Sequence, residues 1–150
     1  MSPRNDHDLH HPEGFNFLPF PLAPLLRDLI FEQHRDDWDV TVRFASGRIP
    51  LASIRISRAS RVAPIRLSNA LNRPDLPEAV MRFLLRHELL HLEFPVRPAH
   101  SEAFWAREAA LAPDRGECWA WLYEHLGHCL ATNGRDGSAC VRPNRVRRHA

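Results

Sequence analysis

The stretch of the chain that could most directly do chemistry is His87-Glu88-Leu89-Leu90-His91, two histidines four residues apart with a glutamate after the first. On an α-helix, residues at this spacing lie on one face, so both imidazoles can bind the same metal ion. A carboxylate beside them can take a proton from the water that the ion activates. The pattern predicts a metal-dependent hydrolase site in which His87 and His91 are ligands and Glu88 is the general base.

The residues around this motif predict a mostly buried helix whose apolar side carries both histidines. Val80 and Leu84 fall on the same stripe as His87 and His91 when each residue turns the helix by about 100°. Burying imidazoles and a carboxylate without partners would cost several kcal/mol, and a bound metal removes that cost. The alternative is a pair of core histidines that are hydrogen-bonded to backbone carbonyls.

A catalytic zinc site needs a third protein ligand and an open position for water, and His100 is the leading candidate for that ligand. The helix that carries His87 and His91, here called the metal helix, can begin at Pro77 and should end near Phe94 because prolines follow it. Ser101 is a favourable N-cap for the next helix. A short turn between the two helices can therefore bring His100 towards the first two histidines. The alternative is an exposed histidine near a helix start.

These residues resemble two related groups of small zinc peptidases. The run Arg86-His-Glu-Leu-Leu-His-Leu92, followed by His100-Ser-Glu-Ala-Phe-Trp105, is similar to the motifs of the SprT-like and YgjP-like families. The segments Ile54–Ser57 and Pro64–Ser68, with Leu71 and Pro74, resemble the strands and turn that lead into the metal helix of that group. The spacing from His91 to His100 lies between those of the two families, so the subfamily stays open.

The resemblance, which covers about residues 38–112, implies both a fold and an activity. The implied fold is α+β, a small zincin-like domain with about three strands packed on an active-site helix and two further helices. The implied cofactor is Zn²⁺, held by His87, His91 and His100. The implied reaction is hydrolysis of a peptide bond in a protein or peptide substrate by a metal-activated water, with Glu88 as general base.

Two further sets of residues are candidates for parts of this reaction. Extended substrates often pair with a strand edge, and the segment directly before the metal helix is the candidate strand: Pro64, Ile65, Arg66, Leu67 and Ser68. Tyr123, the only tyrosine, and His125 are candidates for stabilising the transition state. Core packing of Tyr123 and surface exposure of His125 are the alternatives.

Length and composition favour one small domain. The chain has 150 residues, 44% of them hydrophobic, which is enough for a single modest core. We expect a flexible or extended leader over residues 1–22, the zincin-like domain over 23–132 and a disordered basic tail over 133–150. No apolar run approaches the roughly 18 residues that cross a bilayer, so we expect a cytoplasmic protein without a membrane partner.

Two functions other than a simple peptidase remain open. The tail carries a cluster of arginines that could contact phosphates, which would suit a SprT-like factor recruited to protein–DNA complexes; they are Arg142, Arg145, Arg147 and Arg148. The net charge of +2 is too small to favour nucleic acid by itself. The other alternative is a zinc-stabilised module without catalysis. The three cysteines form no Cys-x-x-Cys pair, so we expect buried thiols rather than a zinc ribbon.

Overall fold

The computed structural model describes residues 16–46, 49–95 and 99–131, with side chains described as far as residue 127. In these ranges, the chain forms four helices, three strands and a short 3-10 turn (Asn69–Leu71). The elements, in chain order, are α1 (Leu22–Glu32), β1 (Asp39–Ala45), β2 (Ala52–Ile54), β3 (Val62–Ser68), α2 (Glu78–Leu90), α3 (Glu102–Leu111) and α4 (Arg115–Ala131). The predicted α+β class and three-stranded sheet are confirmed, and three helices rather than two accompany the metal helix. The predicted leader up to residue 15 and the predicted tail lie outside the described residues.

The third strand along the chain is the central strand of the sheet. The strand order is β1-β3-β2, with β1 parallel and β2 antiparallel to β3. Side chains alternate along β3, where Ala63, Ile65 and Leu67 are fully buried and the residues between them are half-buried. One face of the sheet therefore packs against the helices, and the other carries the polar residues of each strand.

This order shows that the prediction of a substrate-binding edge at Pro64–Ser68 is wrong. The segment lies inside β3, whose backbone pairs with β1 on one side and with β2 on the other. A strand that is paired on both sides has no row of free N–H and C=O groups to offer to a peptide. The sequence indicated a strand here, but the order of the strands in the sheet depends on how the chain returns between them. The outer strands of the sheet are β1 and β2.

The helix that carries the motif, α2, is the centre of the domain. It packs against α1, α3, α4 and β2, and its buried positions include Met81, Phe83, Leu84 and Leu85, all with no exposed surface. It ends at Leu90, before the predicted end near Phe94. The backbone then tightens, because the N–H groups of residues 91–93 donate to carbonyls three rather than four residues back, at 3.0–3.2 Å.

The last helix closes the core against the first half of α2. The rings of Trp119 and Phe83 meet edge to face, with centroids 5.5 Å apart. The Cys118 thiol is buried and donates to the backbone oxygen of Ala79 at 3.5 Å, so the expectation of a buried thiol is confirmed for this cysteine. Burial, with the nearby Asp114 carboxylate, raises the pKa of Cys118 to about 12. Within the described residues, none of the helices combines the length and the apolar character needed to cross a bilayer.

Candidate metal centre

Three histidine side chains converge at the junction of α2 and α3. The Nε2 atom of His100 lies 3.1 Å from Nε2 of His87 and 3.2 Å from Nε2 of His91. All three residues offer ring nitrogens within 4.8 Å of one another. Two nitrogen ligands at about 2.0–2.1 Å from a tetrahedral ion would be about 3.3 Å apart. The separations therefore fit three ligands that share one metal ion.

Local backbone structure explains how these histidines meet. His87 and His91 are four residues apart at the C-terminal end of α2, so they project on the same side of it. His100 directly precedes Ser101, whose Oγ accepts a hydrogen bond from the N–H of Phe104 at 3.2 Å and caps α3. This cap, predicted from the sequence, fixes the start of α3 and with it the position of His100.

An aromatic ring forms the floor of the centre. Phe104 is fully buried, and its ring centroid lies 5.0, 4.7 and 4.9 Å from those of His87, His91 and His100. The Trp105 ring lies 4.9 Å from that of His100, tilted by 30°. These rings hold the imidazoles in place by packing and keep water away from that side. The centre is therefore apolar on the side that these rings occupy.

A buried carboxylate behind His87 completes the centre, and sequence reasoning missed it. Glu108 is 2% exposed, and its Oε1 lies 3.3 Å from Nδ1 of His87. With this carboxylate oxygen as the acceptor, Nδ1 of His87 donates and Nε2 carries the lone pair. The sequence did contain a signal, because Glu108 lies one helical turn after Phe104. A glutamate on the same helix face as a core aromatic residue is expected to be buried.

The surroundings of the histidines favour their neutral form. Burial, and then the charges of His87 and His100, lower the pKa of His91 to about 3. Burial and the charge of His87 lower the pKa of His100 to about 4, against an opposing effect of Glu108. Neutral imidazoles have a free lone pair, which is the form that binds metals. At neutral pH, these two rings are thus ready to act as ligands.

The proposed base, Glu88, lies in the same turn of α2 as the two helical ligands. It is fully buried, one residue after His87 and three residues before His91. Residues three apart on a helix are neighbours on its surface, so Glu88 adjoins His91. The centre thus combines three imidazole donors with a nearby carboxylate, a combination that can bind a metal ion and move a proton.

Salt bridges and hydrogen bonds fasten the turn of α2 that holds the centre. The guanidinium group of Arg86 donates to both oxygens of Glu32 on α1, at 2.8 and 2.9 Å, and this pairing raises the pKa of Arg86. Nε2 of the buried Gln33 donates to the backbone oxygen of Arg86 at 3.2 Å. The two hydrogen bonds between Arg86 and Glu32 and the one from Gln33 hold this turn against α1. His87 and His91 therefore project from a rigid stretch of backbone.

The two candidates for transition-state stabilisation are not brought to the histidines by any contact among the described residues. Nδ1 of His125 lies 2.9 Å from the backbone oxygen of Trp121, and its ring stacks on that of Trp121 at 4.2 Å. The Trp121 ring in turn contacts the guanidinium group of Arg73, which precedes α2. Tyr123 is 45% exposed and its ring contacts that of Trp119. These contacts lie towards the opposite end of α2 from the centre.

Comparison of the chain with models of protein families and with curated proteins found no match. The resemblance to the SprT-like and YgjP-like peptidases therefore stays a prediction from the motif residues. The structure contributes an independent observation, the arrangement of donor atoms: three histidines that are close enough to bind one metal ion.

Proposed function

We propose that this chain is a zinc-dependent peptidase that hydrolyses peptide bonds at the centre formed by His87, His91 and His100. The convergence of three Nε2 atoms beside the buried Glu88 supports this function. Structural zinc sites use four protein ligands, whereas catalytic sites use three and leave a position for water. Among the described residues, three ligands gather here, which favours catalysis over a purely structural role.

The donor set also favours zinc over other metal ions. Mg²⁺ and Ca²⁺ prefer oxygen ligands, whereas neutral imidazoles suit Zn²⁺ and its transition-metal neighbours. The buried Phe104 floor restricts water on one side, as suits a site that exposes only one open position. When bound, zinc would supply Lewis-acid activation of a water molecule and of the substrate carbonyl.

The side chains of the chain supply the proton transfers and the positioning. Glu88 takes a proton from the attacking water on a carboxylate oxygen, as the water oxygen forms its bond to the peptide carbon. When the peptide C–N bond breaks, Glu88 gives this proton to the leaving amine nitrogen. Glu108 would act through His87, because its hydrogen bond to Nδ1 leaves Nε2 as the nitrogen that would bind the metal. Glu108 is therefore a positioning residue.

The edge of β2 replaces β3 as the proposed platform for an extended substrate. The N–H of Ser68 donates to the oxygen of Leu51, and the N–H of Arg55 donates to the oxygen of Pro64. The backbone groups of successive residues in a strand point to opposite sides, so the N–H and C=O of Ile54 point away from β3. No described strand pairs with β2 on that side. Beyond β2, the guanidinium group of Arg58 donates to the backbone oxygen of Phe94 at 2.8 Å, which places this end of the strand near the segment after α2. A peptide paired there would lie close to the metal centre.

The experiment measures bound zinc by elemental analysis and cleavage of an unfolded protein mixture. We expect zinc in both the wild type and Glu88→Gln, with cleavage reduced at least about a hundredfold in the variant because the general base is lost. His100→Ala should lose both zinc and cleavage. Glu124→Gln, at an exposed position on α4, is the matched control and should behave as the wild type. Full cleavage by Glu88→Gln, or by zinc-free protein, would contradict the proposal.

The same measurements separate the two alternatives. A non-catalytic zinc-stabilised module would bind zinc at the three histidines but show no cleavage in the wild type. A factor recruited to protein–DNA complexes would cleave proteins faster when DNA is present. Its support in the sequence, the arginines between residues 142 and 148, lies outside the described residues. The metal centre itself therefore favours a peptidase and carries no observation about DNA.

A further inference from the structure

The face of the sheet that points away from the helices carries a basic cavity. Its volume is about 360 Å³, and residues of all three strands and the adjoining links line it: Arg43, Pro50, Ser53, Ile54, Arg55, Pro64 and Arg66. Three of these seven residues are arginines, and none is acidic. The three arginines are exposed or half-buried, whereas the residues that alternate with them in β1 and β3 are buried. The cavity is thus separate from the metal centre, and none of its residues belongs to that centre.

The positions of the three arginines place like charges side by side. Arg43 on β1 is opposite Arg66 on β3, and neighbouring strands are about 4.8 Å apart. The N–H of Arg55 donates to the oxygen of Pro64 at 3.0 Å, so Arg55 lies diagonally across from Arg66 on the same face. Like charges on adjacent strands destabilise a sheet. The arginines therefore do not contribute to the stability of the sheet by their charge.

Neighbouring carboxylates compensate several arginines elsewhere in the described part of the chain, but none of the three in this cavity. Arg61, Arg73 and Arg86 each form an ion pair with an aspartate or glutamate. Within the described part of the chain, the cavity arginines form no such pair; they are Arg43, Arg55 and Arg66. A concave surface with three uncompensated positive charges attracts an anion with several oxygens.

We propose that this cavity binds a compact phosphate-bearing ligand through Arg43, Arg55 and Arg66, with the hydroxyl of Ser53 as a further donor. Planar guanidinium groups bind phosphate oxygens in pairs, and three of them match the charge of a diphosphate better than that of a single carboxylate. The volume lies near the lower end of the roughly 300–1,000 Å³ of small-molecule sites. None of the seven described residues that line the cavity is aromatic, so recognition rests on phosphate rather than on stacking with a base.

The test is calorimetric titration of the full chain with pyrophosphate, with a nucleoside diphosphate and with a short DNA duplex. We expect pyrophosphate to bind the wild type and to bind Arg43→Gln and Arg66→Gln at least tenfold more weakly. Arg27→Gln, an exposed position on α1, is the matched control and should bind as the wild type. Zinc content should be equal in all variants, which keeps this test independent of the peptidase function.

The three ligands distinguish the source of the phosphate. Binding of pyrophosphate and the nucleoside diphosphate without the duplex indicates a small ligand. Binding of the duplex through the same arginines, with a salt slope reduced by about 0.9 for each arginine removed, indicates nucleic-acid phosphates. Binding of a small ligand supports the proposal, whereas binding of the duplex without either small ligand would overturn it. The absence of binding by all three ligands, equal weakening by Arg27→Gln, or tighter binding of a polyglutamate peptide than of pyrophosphate would overturn it.

Thermal unfolding keeps the test decisive if binding is weak or a variant is damaged. Because the arginines repel one another, Arg66→Gln should unfold at the wild-type temperature or above it in the absence of ligand. Pyrophosphate should raise the unfolding temperature of the wild type and of Arg27→Gln, but not that of Arg66→Gln. An equal rise in all three proteins would overturn the assignment to this cavity.

Discussion

Both halves of α2 have buried faces, but they differ in what surrounds them. The first half packs its apolar side chains against α4, where Phe83 meets Trp119 edge to face. The second half buries His87, Glu88 and His91 beside α3. Apolar burial stabilises the fold directly, whereas burial of imidazoles and a carboxylate has a cost unless partners satisfy them. One helix thus supports the fold at one end and the candidate metal centre at the other.

This difference predicts that substitutions in the two halves have separable effects. Changes in the apolar half should lower the free energy of unfolding without affecting the metal. Changes around the second half should alter metal binding and catalysis more than the fold of the metal-free chain. A result that mixes the two effects would show that the halves are coupled through α2.

Removal of zinc should have the largest effect. Dialysis of the wild type against a chelator should abolish cleavage and lower the free energy of unfolding. The loss should be about 4 kcal/mol relative to protein in free zinc at a thousand times the dissociation constant. His91→Ala, which lacks a ligand, should show no response to the chelator. Activity assays and thermal unfolding measure both effects. An unchanged unfolding temperature of the wild type would contradict the assignment of the second half of α2 to metal binding.

Phe83→Ala should produce the largest loss of stability within the apolar half. The ring is fully buried, so its removal leaves a cavity and should lower the free energy of unfolding by about 3–5 kcal/mol. Urea unfolding in the presence of a chelator measures this loss without a contribution from the metal. Zinc bound per folded molecule should equal that of the wild type. Loss of zinc from the folded variant would show that the halves of α2 are not independent.

Glu108→Gln should weaken zinc binding by about tenfold to a hundredfold, or about 1.4–2.8 kcal/mol, because the charged acceptor behind Nδ1 of His87 is lost. Competition with a chromophoric chelator measures this affinity. Glu102→Gln, at an exposed position in the first turn of the same helix, is the control and should leave the affinity unchanged. Equal affinities of Glu108→Gln and the wild type would remove Glu108 from the centre.

Ser101→Ala should have the smallest of these effects, a loss of about 1 kcal/mol in the free energy of unfolding, because one N-terminal N–H group of α3 loses its acceptor. Ser101→Asp restores an acceptor and should recover most of the loss. Thermal unfolding of the three proteins measures this series. A loss of zinc that Ser101→Asp also restores would show that the cap positions His100 as well as α3.

The sequence could predict those features of the fold and the site that lie within one helix or strand. The four-residue spacing predicted that His87 and His91 share a face, and Ser101 predicted the start of α3; the structure confirms both. The strand segment expected at Pro64–Ser68 lies within β3, whereas the one expected at Ile54–Ser57 shares only Ile54 with β2. The end of α2 was misplaced, because the helix tightens into a 3-10 turn after Leu90 instead of continuing to the prolines.

Relations between elements could not be predicted in the same way. The alternation in Pro64–Ser68 is the same for a central and an outer strand, so the error about the edge followed from strand order alone. Glu108 looked like an ordinary helix glutamate until its position against His87 was known. Arg43, Arg55 and Arg66 lie on three strands, and only the register of those strands brings them together.

The sequence by itself determined the two candidate ligands that α2 offers, the proposed base beside them and the serine that starts α3, because helical spacing and capping act between residues a few positions apart. Only the tertiary structure decided which carboxylate supports His87, which strand forms the edge near the centre and where three arginines enclose a cavity. Those features depend on contacts between residues that are distant along the chain, and the packing of helices on the sheet sets them.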